Sequence, residues 1–71
     1  MAMSFDTIRV GKRYRLVNYG EVNEFQVIKV KGMNDFLVKD RTTLEYYSLS
    51  ELVKYGKGKD YDLDEISAAE Q

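Results

Sequence analysis

The strongest constraint on this chain is a hydrophobic period of two. Tyr14 and Leu16 alternate with Arg13 and Arg15, and Phe25 and Val27 alternate with Glu24 and Gln26. At Val27-Ile28 the phase slips, after which Ile28 and Val30 alternate with Lys29 and Lys31. Phe36 and Val38 then alternate with Leu37 and Lys39, and Leu44 and Tyr46 with Glu45 and Tyr47. Alternation of this kind sends successive side chains to opposite faces of a strand, so it predicts four half-buried strands and no long helix. The slip predicts a β-bulge, the device by which a strand bends enough for a small sheet to curl on itself.

Turn chemistry punctuates these runs. Gly11 precedes the first strand, and Asn18-Tyr19-Gly20 begins the connection to the second. Gly32-Met33-Asn34-Asp35 and Asp40-Arg41-Thr42-Thr43 predict hairpin loops, because Gly, Asn and Asp tolerate or stabilise turn conformations. Ser48-Leu49-Ser50-Glu51 fits the S-x-x-E capping box and predicts a single helical turn. Residues 53–55 predict a short fifth strand, ended by Gly56-Lys57-Gly58. The expected core is Ile8, Val10, Tyr14, Leu16, Phe25, Val27, Ile28, Val30, Phe36, Val38, Leu44, Tyr46, Leu49, Leu52 and Val53.

Charge divides the chain. Residues 1–59 hold all eleven Lys and Arg beside seven Asp and Glu, a surplus of four positive charges, whereas residues 60–71 hold five acids and no base. With 71 residues there is room for one core. The reading is therefore one barrel domain over 1–59 and an acidic tail over 60–71. In that tail Asp62 and Glu65 stand at N-cap and N3 spacing with Tyr61 and Ile66 at staple positions, which predicts a short docking helix beginning near Leu63.

Together these features resemble the Src-homology-three-like, Tudor-like and KOW-like small β-barrels. The resemblance covers roughly residues 8–55. It rests on Val10-Gly11 leading into Tyr14-x-Leu16, on Gly20, on the bulged Phe25–Val30 strand, and on the helical turn Ser48–Leu52 ahead of Val53. It implies an all-β fold: a small five-stranded antiparallel barrel of SH3-like type, with one helical turn before the last strand. A fold of this kind does not by itself fix a function.

Several chemistries are excluded or disfavoured by the residues present. Without His or Cys there is no zinc finger, thiol nucleophile, imidazole base or disulfide. No nucleophile, base and orienting group stand at recognisable spacing, so an enzyme is not expected. Gly56-Lys57-Gly58-Lys59 lacks the spacing of a phosphate-binding loop. Asp60-Tyr61-Asp62-Leu63-Asp64 begins like a calcium loop, but Glu65 and Gln71 occupy the places that require Gly and Glu. No cofactor or metal is expected. Residues 1–10 lack the apolar stretch of a signal peptide, and no aliphatic or aromatic run exceeds the three residues Phe36–Val38, so no membrane is involved and a cytoplasmic setting is expected.

Two surfaces remain. Six tyrosines suit a protein interface, and Tyr19, Tyr47 and Tyr55 are the candidates for a rim that binds a protein or peptide partner. The outward phase of the strands carries Arg13, Arg15, Lys29, Lys31 and Lys39, which suits nucleic acid, with the acidic tail screening it. The expected function is a non-enzymatic interaction module acting through the tyrosine rim. The alternatives are nucleic-acid binding through the basic face and a structural subunit that self-associates into a homo-oligomer.

Overall fold

The alternating segments become strands, and each finds an antiparallel partner. The computed structural model describes residues 5–66. In it β1 (Arg13–Asn18), β2 (Glu21–Lys31), β3 (Asp35–Asp40), β4 (Tyr46–Ser48) and β5 (Asp62–Ile66) form one sheet in the order β4-β3-β2-β1-β5. A 3₁₀ turn at Phe5–Thr7 precedes the sheet, and a second at Leu49–Val53 stands between β4 and β5. The order leaves β4 and β5 as the two edges, so the sheet is not closed into a barrel. Among the described residues no helix is long and apolar enough to cross a membrane.

The phase slip is a bulge. Val27 faces Val38, but the next matched pair is Lys29 with Leu37, which leaves Ile28 without a partner. The extra residue lets Phe25 and Val27 before it, and Val30 after it, all lie on the side of the sheet that carries the core. The β1–β2 connection is only Tyr19-Gly20. Both residues have positive φ, 52° and 77°, the two-residue hairpin turn whose twist matches the strands it joins.

The core is formed by Ile8, Tyr14, Leu16, Phe25, Val27, Val38, Leu49 and Leu63, all buried. At full burial each of the larger members contributes about 1.5–3 kcal/mol. Tyr14 and Phe25 meet with ring centroids 6.1 Å apart. The buried Tyr14 hydroxyl accepts a 2.8 Å bond from the Arg9 backbone N–H, so the ring is sealed in without an orphaned oxygen.

The structure departs from the sequence reading in four places. Residues 53–55 are not a strand: Val53 ends the 3₁₀ turn and Tyr55 lies in the turn after it. The fifth strand is Asp62–Ile66, where a helix beginning near Leu63 was expected. It pairs along β1, with Leu63 opposite Leu16 and Ile66 opposite Arg13. Burial of Leu63 against that partner outweighs a helix-start pattern too short to be stable alone. The remainder of the expected helix, residues 67–70, lies outside the described residues. The capping box does not form, since Ser48 makes no side-chain cap bond. The second 3₁₀ turn is instead tied down by Asp35, whose carboxylate accepts bonds from the Ser50 N–H and hydroxyl at 3.0 and 2.7 Å. Finally, Val10, Val30, Leu44 and Tyr46, all expected in the core, are exposed.

Candidate interaction surfaces

Two of the three rim tyrosines come together. Tyr19 sits in the β1–β2 turn and donates its hydroxyl to the Tyr55 carbonyl at 2.9 Å. Its ring lies on Gly58, where a Cβ would stand 2.9 Å from two ring carbons, so the contact requires glycine. Asp60 caps the turn with both carboxylate oxygens, accepting the Tyr19 and Gly20 N–H groups at 2.9 and 2.7 Å. The Gly20 bond, helped by that from Tyr19, holds the Asp60 carboxyl below its ordinary value of 3.8. Tyr19, Tyr55, Asn23 and Leu52 help line a cavity of about 190 Å³. The Tyr55 ring already has a cation beside it. The Lys54 ammonium is 5.3 Å from its centroid and 3.1 Å from Glu51.

Tyr47 does not join this rim. It faces Val38 across the β3–β4 pair and packs half-buried against the core, its hydroxyl donating to Asp40 at 3.3 Å. Burial pushes its phenol pKa well up, and the Asp40 charge adds to the effect. Tyr47 is thus an edge-of-core residue.

The five expected cations are divided by register. Arg13, Gln26, Lys39 and Tyr46 face one another in a single row across four strands. Arg15 stands between Glu24 on β2 and Asp64 on β5, one acid on each side. The acidic segment does pair with a basic residue, Glu65 with Lys12 at 3.4 Å, but as a strand within the sheet. Lys29 faces Leu37, and Lys31 donates to the Ser48 hydroxyl. Only Arg13 and Lys39 share a site, a depression of about 210 Å³ completed by Gln26, Asp40, Arg41 and Leu44.

The turn beside that depression is held by Asp40. Its Oδ1 accepts the Thr42 and Thr43 N–H groups at 2.7 and 2.9 Å, and these bonds, Thr43 first, keep its carboxyl below the usual range. Arg41 reaches Glu24 at 3.7 Å. Neither Arg13 nor Lys39 has an ion-pair partner among the described residues. Leu44 adopts φ 65° there with its side chain 61% exposed. A non-glycine residue in this left-handed region costs about 1–2 kcal/mol.

The largest cavity described was not legible beforehand. The first 3₁₀ turn and the residues after it lie beside the far end of the β2–β3 hairpin. Phe5, Ile8, Val10, Val30, Met33 and Phe36 line a groove of about 490 Å³ there, with Asp6, Arg9 and Asn34 supplying polar groups. Val10, Val30 and Met33 are 52, 59 and 95% exposed. Alternation correctly placed Val30 with Phe36, which it faces across the β2–β3 pair. Nothing in the pattern says that Val30 stays exposed. Met33, in a turn, belongs to no period.

No protein-family model matches the chain, and neither does any curated protein or solved structure. Among the described residues no group of three or more Asp or Glu is placed to hold a metal ion. The described surfaces are an apolar groove, a cationic row and a tyrosine cavity.

Proposed function

We propose that the chain is a non-enzymatic interaction module that binds a protein or peptide partner, built on the small-barrel plan of SH3-like proteins. The strand order, with β1 held between β2 and β5, and the 3₁₀ turn between β4 and β5 support that plan. The reading moves the binding surface from the tyrosine rim to the apolar groove. The observation that carries it is the exposure of Val10, Val30 and Met33 around one cavity of about 490 Å³. Clustered apolar exposure rimmed by polar groups is characteristic of an interaction surface, and the cavity falls within the size of binding pockets. The occupant is a short peptide segment that places two apolar side chains in the groove, with its backbone facing Arg9 and Asn34.

A displayed peptide library selected on the full chain tests this. Enriched peptides should carry paired aliphatic or aromatic residues, and Met33→Glu should weaken them about tenfold, a loss of about 1.4 kcal/mol. Tyr19→Ala and Tyr55→Ala should change their affinity little. Failure to enrich any peptide overturns the reading. Binding lost in Tyr55→Ala but kept in Met33→Glu returns the site to the tyrosine rim.

A further inference from the structure

We infer that a second face, the row Arg13–Gln26–Lys39–Tyr46 with Arg41 and Leu44 beside it, binds single-stranded nucleic acid. The row crosses four strands in direct register, so its side chains stand about 4.8 Å apart from strand to strand. Arg13 and Lys39 have no carboxylate partner among the described residues, and Arg41 is held at only 3.7 Å by Glu24. Cations left unpaired in a shared depression of about 210 Å³ are available to a phosphate backbone. The row ends on Tyr46, more than half exposed, with the Lys39 ammonium 5.6 Å from its ring centroid.

Two features favour bases over an acidic peptide as what accompanies the phosphates. Tyr46 presents an exposed ring beside the cations, and stacking on such a ring suits an unpaired base of any identity. Leu44 is exposed in a left-handed conformation that glycine would adopt more readily, which places an apolar side chain at the lip of the same depression. Carboxylates of an acidic peptide would engage Arg13 and Lys39 but leave both apolar groups without a use. A duplex keeps its bases stacked on each other and offers Tyr46 no free face. The row keeps Arg13 and Lys39 of the basic residues read from the sequence. Arg15 lies in register between two acids, Glu24 and Asp64, outside the depression, and Lys31 is engaged by Ser48.

Fluorescence anisotropy of a labelled oligothymidylate of about 12 nucleotides, titrated with the full chain at rising salt, tests the site. The expected log–log salt slope is about −2, from three phosphate contacts at about 0.7 each. Arg13→Ala and Lys39→Ala should each make the slope shallower by about 0.7. Tyr46→Ala should weaken binding about tenfold at every salt concentration without changing the slope, and Tyr46→Phe should restore it. Leu44→Gly should raise the thermal midpoint while weakening binding, a pairing that loss of fold cannot produce. Met33→Glu should leave oligonucleotide binding unchanged, which separates this site from the apolar groove. No binding by the intact chain at low salt overturns the inference. So does equal binding to polyglutamate with no effect of Tyr46→Ala, which identifies an acidic-protein surface. Arg15→Ala acting as strongly as Arg13→Ala would also overturn it.

Discussion

The two ends of β2 are built in opposite ways. At its start, the Tyr19-Gly20 turn is tied to residues 52–60 by side chains. The buried Asn18 amide donates to the Leu52 and Gly56 carbonyls at 3.2 and 3.1 Å and accepts the Gly58 N–H at 2.7 Å. Asp60 caps the turn, and the Tyr19 hydroxyl closes on Tyr55. At the other end of β2, Val30 and Met33 stand in the open around a groove. A long irregular segment survives at the first end because its backbone groups find partners. The second end leaves apolar area uncovered among the described residues. Side-chain ties and exposed apolar area thus occupy different ends of one strand.

The largest expected effect breaks the tied end. Asn18→Ala orphans two carbonyls and one N–H and should cost about 3 kcal/mol in a urea denaturation series. A cost near zero would mean that water replaces the amide and that the end is not tied by it. Acid should weaken the same end. The Asp60 carboxyl is held below 3.8, so its contribution is present above that value and fades as pH falls through its lowered folded value. Asp60→Asn should therefore make the loss of stability below about pH 4 shallower, read from thermal midpoints against pH. Asp35 and Asp40, also lowered, leave a residual slope.

Smaller effects sharpen the comparison. The Tyr61 hydroxyl is buried without a hydrogen-bond partner, the one flaw of this kind among the described residues. Tyr61→Phe should raise stability by about 1 kcal/mol, because it removes an unpaired polar atom and little else. Met33→Glu at the open end should change stability by less than about 0.5 kcal/mol, as a nearly fully exposed side chain does. A larger loss would show that the groove is part of the core.

What the sequence disclosed follows from the range of the interactions. β1 to β4, the bulge at Ile28 and the buried Leu49 were legible, because alternation and turn residues are local signals. β5 was not. Asp62-Leu63-Asp64-Glu65-Ile66 carries a single buried apolar residue, and its strand conformation is imposed by β1, more than forty positions earlier in the chain. In β4 the alternation was read in the opposite phase, with Tyr46 in the core and Tyr47 outside, because two adjacent tyrosines fit either phase equally well. Tyr47 faces Val38 inward, and Tyr46 takes the outer row. Arg41 and Leu44 joined the cationic site through the geometry of a turn, which no periodicity encodes.

The two edges of the sheet differ in how readily another copy of the chain could pair with them. An edge strand is a template for amyloid-like pairing unless it is short or charged. β4, at three residues, is too brief to recruit a foreign strand. β5 is longer but carries Asp62, Asp64 and Glu65 within its five residues. One edge is guarded by length and so is indifferent to the charge it carries. The other is guarded by three acidic side chains alone. The β5 edge is therefore where fibril growth should begin when Asp62, Asp64 and Glu65 are replaced by their amides.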